Sequence, residues 1–263
     1  MRQRRSIAFR RFKTSAMARA TIPGVTRTAF AAVLALTALV GCADEAPARR
    51  AANGATGALT LASAGSLRPP DGRPIRVAFA ISDSSNVIDM SGPWEVFQDA
   101  AVHGDGAGFT LYTVAATRAP VRLTGGLQVV PDYAFADAPQ PDVVVVPAIR
   151  ATPELHAWLR EVAPKVDVLM SVCTGAFQLA AAGLLDGFPA TTHHDFWEDF
   201  ERRYPRVQLH RGERYVESTP RVSTAGGLTS GIDLALRVVE RYYGRQAAAD
   251  TAAYMEYRSL YLQ

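Results

Sequence analysis

Residues 168–177 read Val168-Leu169-Met170-Ser171-Val172-Cys173-Thr174-Gly175-Ala176-Phe177. An apolar, β-branched run passes directly into a cysteine, a small linker and a helical pattern, which predicts a sharp strand-to-helix turn that presents the Cys173 side chain. Ligands of open α/β sheets bind beyond the carboxyl ends of the strands, and a helix N-terminus favours the thiolate of a nearby cysteine. The stretch therefore predicts a nucleophilic Cys173. The alternative is a buried cysteine that merely ends a core strand.

The rest of the chain alternates apolar runs with helical patterns on both sides of this turn. Buried strands are predicted at 75–81, 109–115, 142–146 and 166–172, a β-ribbon at 121–135, and short strands at 207–210, 215–218 and 221–224. Helices are predicted at 92–101, 153–162, 176–185, 232–243 and 246–260. This alternation predicts one α/β domain over 74–263, with a flavodoxin-like or Rossmann-like parallel sheet sandwiched by helices.

Four segments together resemble the ThiJ/PfpI superfamily. They are VIDMSGPWEVF at 87–97, SVCTGAFQLAAAGLLDG at 171–187, ATTHH at 190–194 and STAGGLTSGIDLALRVVE at 223–240. Within the superfamily, the nearest likeness is to isonitrile hydratases and to the amidotransferase-like ligand domains of AraC-type regulators. The resemblance spans about residues 75–260 and implies a class I glutamine amidotransferase-like fold.

The resemblance also implies a catalytic set. Cys173 is expected to be the nucleophile, Asp89 the acid that reaches its sulfur from the end of the first strand, and Thr174 a third functional residue. A carboxylate beside a thiolate cannot simply activate it, because like charges repel, so one of the two groups should hold a proton or the pair should share one. A protonated Asp89 would be a general acid. The alternative role for Asp89 is an N-cap of the following helix.

Further residues are expected to line the substrate site. His193 matches a histidine near the cysteine of many superfamily members and is expected to orient the substrate or relay a proton. Gly227 lies in a loop with no phosphate-binding pattern and is expected to form pocket wall. Where the superfamily usually has two glycines whose amides help form an oxyanion hole, this chain has Ala148 and Ile149. Both can still donate a backbone N–H, but a positive φ would be costly for Ile149.

The first 41 residues predict a signal peptide of the lipoprotein type. Residues 1–28 carry eight Lys or Arg and no acid, residues 29–40 are uncharged and apolar, and Leu39-Val40-Gly41-Cys42 resembles a bacterial lipobox. Cys42 is then expected to carry lipid, which predicts an exported protein anchored in the bacterial periplasm or cell envelope. An ordinary cleaved signal is the alternative, and translation starts at Met1 or Met17. Residues 42–73, rich in Ala, Gly, Pro and Ser, predict a flexible tether.

Removal of this signal changes the charge balance. The eight basic residues before Cys42 leave 20 Lys and Arg against 25 Asp and Glu. A nucleic-acid-binding surface needs a basic domain, so we expect no nucleic-acid partner. The membrane contact is expected to run through the lipid alone. No helix-turn-helix pattern follows the domain before Gln263, which argues against a DNA-binding regulator.

The residues favour a small-molecule partner and no cofactor. Two adjacent histidines are a poor metal pair, so neither a metal nor another cofactor is expected. The sharpest hypothesis is a hydro-lyase resembling isonitrile hydratase, which adds water to an isonitrile to give an N-substituted formamide. Alternatives are a non-catalytic ligand sensor and glyoxalase-like or deglycase-like thiol chemistry. The resemblance also implies a homodimer.

Overall fold

A computed structural model of the protein describes residues 64–102 and 106–262. The helices in these ranges are Val87–Gln98 (α1), Pro153–Val162 (α2), Gly175–Ala181 (α3), Trp197–Arg203 (α4) and Ser230–Tyr254 (α5). The strands are Ile75–Ala80 (β1), Phe109–Ala115 (β2), Val121–Arg122 (β3), Gln128–Val129 (β4), Tyr133–Ala134 (β5), Val143–Val146 (β6), Val168–Val172 (β7), Pro189–Ala190 (β8), Gln208–Leu209 (β9), Tyr215–Glu217 (β10) and Val222–Ala225 (β11).

A seven-stranded sheet forms the middle layer, in the order β10-β11-β7-β6-β1-β2-β5. All of its pairings are parallel except that of β10 with β11 at one edge. Helices α1 and α5 cover one face, and α2, α3 and α4 contribute to the core on the other. The four valines of β6 are wholly buried, as expected for a central strand covered on both sides. The predicted α/β sandwich is confirmed.

The sheet topology brings three strand ends together. Strand β1 lies between β2 and β6, so the chain leaves β1 toward one edge and later returns to its other side. This is a topological switch point, where open α/β sheets leave a crevice at the carboxyl ends of the strands. The segments that follow β1, β6 and β7 contain Asp89, Ala148 and Cys173 respectively.

Several element boundaries differ from the sequence prediction. Helix α1 starts five residues earlier than predicted, because the Asn86 side chain caps it by accepting from the amides of Ile88 and Asp89. Asp89 is therefore in the first turn of a helix rather than at the end of a strand. The two last predicted helices form one element that is interrupted at Gly244 (φ 87°) and ends at Tyr254. Helix α4 was not predicted.

The described part of the segment predicted as a tether lies against the domain. The Ala64 amide donates to Glu217 Oε2 at 3.0 Å, and Arg241 Nε donates to the Gly65 carbonyl at 3.0 Å. The Leu67 amide also donates to the Arg241 carbonyl at 2.7 Å. Residues 64–67 therefore extend the domain beyond the predicted start at residue 74. The predicted signal peptide, Cys42 and the first part of the tether are outside the described residues. Within those residues no helix is both long and apolar enough to cross a membrane.

Candidate active site

Cys173 occupies a strained turn between β7 and α3. Its φ is 57°, a left-handed conformation that non-glycine residues seldom adopt, and its side chain is buried. Two residues on, a Cβ at Gly175 would lie 2.1 Å from the Val146 carbonyl oxygen, so only glycine fits there. The close approach of α3 to the end of β6 thus forms the turn that the sequence predicts.

The Asp89 carboxyl group is completely buried beside this turn. Its Oδ2 accepts a hydrogen bond from the Ala148 amide at 3.1 Å, while Oδ1 has no hydrogen-bond partner among the described residues. Burial raises the pKa of Asp89 to about 6, although hydrogen bonding from the Ala148 amide and the Cys173 thiol acts in the opposite direction. The structure therefore brings Asp89 and Cys173 together, from α1 and from the end of β7.

The thiol of Cys173 holds its proton more tightly than the sequence predicts. Burial raises its pKa to about 12, with the negative charge of Asp89 as the next cause, and these outweigh hydrogen bonds from the backbone amides of Thr174 and Leu228. The amide of Thr174, at the start of α3, therefore acts in the direction predicted for the thiolate, but burial and the charge of Asp89 outweigh it. Because both pKa values are raised, the pair holds one proton between about pH 6 and about pH 12.

The segment after β6 differs from the predicted oxyanion hole. The Ala148 amide is occupied by Asp89, so it positions the carboxylate. Ile149 does not adopt a positive φ, and its carbonyl accepts from Gln178 Nε2 at 3.2 Å. The amides of Thr174 and Leu228, which hydrogen-bond the sulfur, are the donors that sequence reasoning missed. Leu228 also has a positive φ of 50°, which points to a backbone held in a specific conformation.

His193 lies against the loop that carries this second amide. A Cβ at Gly227 would be 2.2 Å from His193 Cδ2, so the missing side chain makes room for the ring. His193 Nδ1 accepts from the Asp195 amide at 3.2 Å, which fixes the other side of the ring. The neighbouring Thr192 hydroxyl donates to the Cys173 carbonyl at 2.9 Å, a contact that the sequence did not predict.

His193, His194 and Asp195 also bring ligand atoms within 4.8 Å of one another. Three such groups are a possible set of metal ligands, although His194 and Asp195 are exposed. The Asp195 amide already donates to His193 Nδ1, which reduces the availability of that nitrogen to an ion. The predicted absence of a metal remains a prediction.

Each of the two residues whose amides donate to the sulfur lines a cavity. The first, about 330 Å³, includes Thr174 and several aromatic side chains and is here called the aromatic cavity. The second, about 350 Å³, includes His193, Gly227 and Leu228 and is called the histidine cavity. Of the predicted site residues, Thr174 therefore lines the aromatic cavity, and His193 and Gly227 line the histidine cavity.

The chain is similar to several known proteins. Residues 75–241 match the model of the DJ-1/PfpI family. An uncharacterized protein in the cpoL 5′ region of Streptomyces lividans is 39% identical, over 50% of this chain and 96% of its own length. The isonitrile hydratase of Pseudomonas putida is 29% identical over 70% of this chain and 78% of its own. The transcriptional regulator CdhR of Pseudomonas aeruginosa is 34% identical over 54% of this chain but 43% of its own.

Solved structures support the same architecture. A ThiJ/PfpI family protein of Pseudomonas syringae matches with a TM-score of 0.60 and 25% identity, over 71% of this chain and 76% of that one. An AraC family regulator structure from Pseudomonas putida matches with a TM-score of 0.60 and 22% identity, over 69% of this chain and all of that one. At this identity the second likeness concerns the fold alone.

Proposed function

The chain belongs to the DJ-1/PfpI family, and on that premise we propose that it is a cysteine-dependent enzyme acting on a small electrophile, with isonitrile hydration as its specific reaction. The observation that carries this proposal is the buried pair of Asp89 and Cys173, which holds one proton across the neutral range. A nucleophile and a proton carrier in contact suit an addition that needs both at one carbon.

The proposed chemistry adds the thiol across the terminal carbon of an isonitrile. Cys173 Sγ forms a bond to that carbon, and the shared proton moves to the same carbon, which gives a thioimidate. Water then adds to the thioimidate carbon, with one of its protons taken by the nitrogen. The carbon–sulfur bond breaks, the second proton returns to the Asp89–Cys173 pair, and an N-substituted formamide leaves. One water is consumed for each isonitrile.

Several neighbours support these steps. The amides of Thr174 and Leu228 stabilise the sulfur when it carries negative charge as the leaving group. The Thr174 hydroxyl makes no helix-capping hydrogen bond, so it is available to the substrate or to the attacking water. His193 is held beside the Leu228 loop, where we propose that it orients the substrate.

The test is turnover by the purified chain. Isonitriles and 2-oxoaldehydes should be supplied separately, with formamide or hydroxy-acid formation followed by NMR. Cys173→Ser and Asp89→Asn should each abolish formamide formation, while Asp137→Asn, at an exposed ion pair with Arg118, should leave it unchanged. Product from 2-oxoaldehydes alone would replace the hydratase with glyoxalase-like chemistry. Full isonitrile turnover by either active-site variant would exclude the mechanism.

A small-ligand sensor is the second candidate, and the regulator relatives favour it. In that case the site around the buried and protonated Cys173 binds a small molecule without reacting with it. Tight binding of a small molecule with no product and equal affinity in Cys173→Ser would support this function. DNA binding by the purified chain would overturn the expectation of no nucleic-acid partner.

We also propose that the domain works in the cell envelope as a lipid-anchored homodimer. The support is the signal-like sequence that ends at Cys42, together with the resemblance for the dimer. Labelling with a fatty acid should mark the wild-type chain and not Cys42→Ala. Sedimentation of the detergent-solubilised chain measures the oligomeric state, and a monomer at micromolar concentration would contradict the dimer.

A further inference from the structure

We propose that the aromatic cavity is a specificity subsite, which takes a neutral, ring-sized apolar substituent of the electrophile attacked by Cys173. The inference deepens the proposed function and rests on it for the identity of the reaction. The binding preference of the aromatic cavity can be measured without turnover. Ten residues line the cavity, and six of them carry the argument: Thr174, Phe177, Ala181, Phe196, Arg203 and Tyr204.

The size and walls of the cavity indicate what it holds. Its volume of about 330 Å³ is at the lower end of the ~300–1,000 Å³ found for ligand pockets. Phe177 meets the rings of Phe196 and Tyr204 edge-on, with centroids 6.3 and 5.9 Å away. Aromatic walls of this kind favour another ring in an offset or edge-to-face arrangement. Phe196 is 42% exposed, which leaves it free to contact an incoming group.

The charges around the cavity indicate a neutral occupant. Arg203 lies over the Phe177 ring at 5.2 Å and pairs with Asp199 at 3.4 Å, so its charge already has a partner. At the polar side, His156 Nε2 is 2.9 Å from Gln178 Oε1. The Gln178 amide nitrogen in turn donates to the Ile149 carbonyl at 3.2 Å. An ionic substituent would have to break these pairs, whereas an apolar ring would not.

Thr174 connects the cavity to the nucleophile. Its amide hydrogen-bonds the Cys173 sulfur, and the residue is part of the cavity wall. The aromatic cavity therefore borders the residue that follows Cys173 in the chain. The histidine cavity offers a different environment, with Glu213, Arg214 and His193 among its residues, and suits the polar part of a substrate or water.

The experiment compares two alkylating probes on the full chain carrying Cys42→Ala, so that Cys173 is the one remaining cysteine. Rate constants at Cys173 are measured by mass spectrometry at pH 9 for iodoacetamide and for N-benzyl-2-iodoacetamide. The benzyl-to-unsubstituted rate ratio is divided by the same ratio for a short cysteine peptide. We expect this quotient to be about 10 or more, since burial of a ring in the cavity stabilises the complex that reacts and raises the rate by at least that factor.

Two substitutions and a control assign the effect to the cavity. Ala181→Phe, at an exposed position at the end of α3, should fill the cavity and return the ratio to that of the peptide. Phe196→Ala should lower the ratio by removing a wall. Asp137→Asn, at an exposed ion pair with Arg118 outside both cavities, should leave it unchanged. Circular dichroism of each variant checks the fold.

A wild-type ratio equal to that of the peptide would overturn the subsite, as would a high ratio that survives both cavity substitutions. Failure of isonitrile turnover with a high, cavity-dependent ratio would reject the proposed reaction and keep the subsite. Turnover of isonitriles with no preference between methyl and benzyl substituents would reject the subsite and keep the reaction.

Discussion

Replacement of Asp89 by asparagine should change thiol reactivity and turnover in opposite directions. Asparagine keeps a carbonyl oxygen for the Ala148 amide but removes the negative charge that helps to hold the proton on Cys173. At pH 8 a thiol with a pKa of about 12 is ~10⁻⁴ ionised, against ~10⁻¹ at the ordinary value of 9.0. Burial is the largest cause of the raised pKa and remains in the variant. Loss of the Asp89 charge, the second cause, lowers the pKa of Cys173, and a pKa lower by one would raise the thiolate fraction and the alkylation rate about tenfold.

Turnover should fall in the same variant, because the carboxylate that is proposed to relay the Cys173 proton to the substrate carbon is lost. General acid–base groups contribute ~10²–10⁴-fold in rate, and a fall in this range is expected for Asp89→Asn. The assay follows iodoacetamide alkylation of Cys173 between pH 7 and 11 in the Cys42→Ala background, beside formamide formation. Asp137→Asn is the control for loss of a carboxylate. An alkylation rate that is unchanged or lower would refute the electrostatic coupling of the pair.

Three further predictions test the geometry and energetics of the site. The rise in the Asp89 pKa from 3.8 to about 6 means that the ionised group costs ~3 kcal/mol in the folded state. At pH 8, Asp89→Asn should therefore unfold at a higher denaturant concentration than the wild type. This difference in stability should shrink as the pH falls through 6 and vanish below 3.8. A stability difference at about pH 3.5 that equals the one at pH 8 would show that it does not come from the ionised Asp89 carboxyl group. Gly175→Ala should cost ~2 kcal/mol or more of unfolding free energy, since its Cβ meets a backbone oxygen, whereas Gly65→Ala has open space and should be neutral. Gly227→Ala should displace the His193 ring, which NMR of the histidine would detect. Turnover should fall about tenfold or more, with little loss of stability.

The strands and the turn at Cys173 could be predicted because their signals are local. Four consecutive valines in β6 and the apolar run before Cys173 indicate central strands by composition alone. Helix α2 was predicted with its observed bounds from the i, i+4 spacing of Leu155 and Leu159, and the structure shows that the Thr152 side chain caps its start. Helix α4 was missed because its seven residues, mostly charged, show too short a pattern to stand out.

The sequence and the resemblance predicted that Asp89 and Cys173 would hold a proton between them, but not which of the two groups would keep it. The direction of the Cys173 pKa depends on burial and on a carboxylate from a distant helix, and neither is visible in the residues of the turn. The Leu228 amide that reaches the sulfur also has no sequence signature, since every residue except proline carries a backbone N–H. The N-cap role of Asn86 could not be predicted either, because asparagine is common in loops and nothing else in the sequence marked the start of α1 at Val87.

The retained proton of Cys173 has a consequence for chemical durability. Peroxides and disulfides react with thiolates, so a buried cysteine that stays protonated at neutral pH is a poor target for both. A substrate that enters the site and accepts the shared proton during bond formation avoids this barrier, whereas an oxidant gains no such assistance. Under the proposed function, the Asp89–Cys173 arrangement would thus favour an electrophile that accepts the shared proton over small oxidants that cannot.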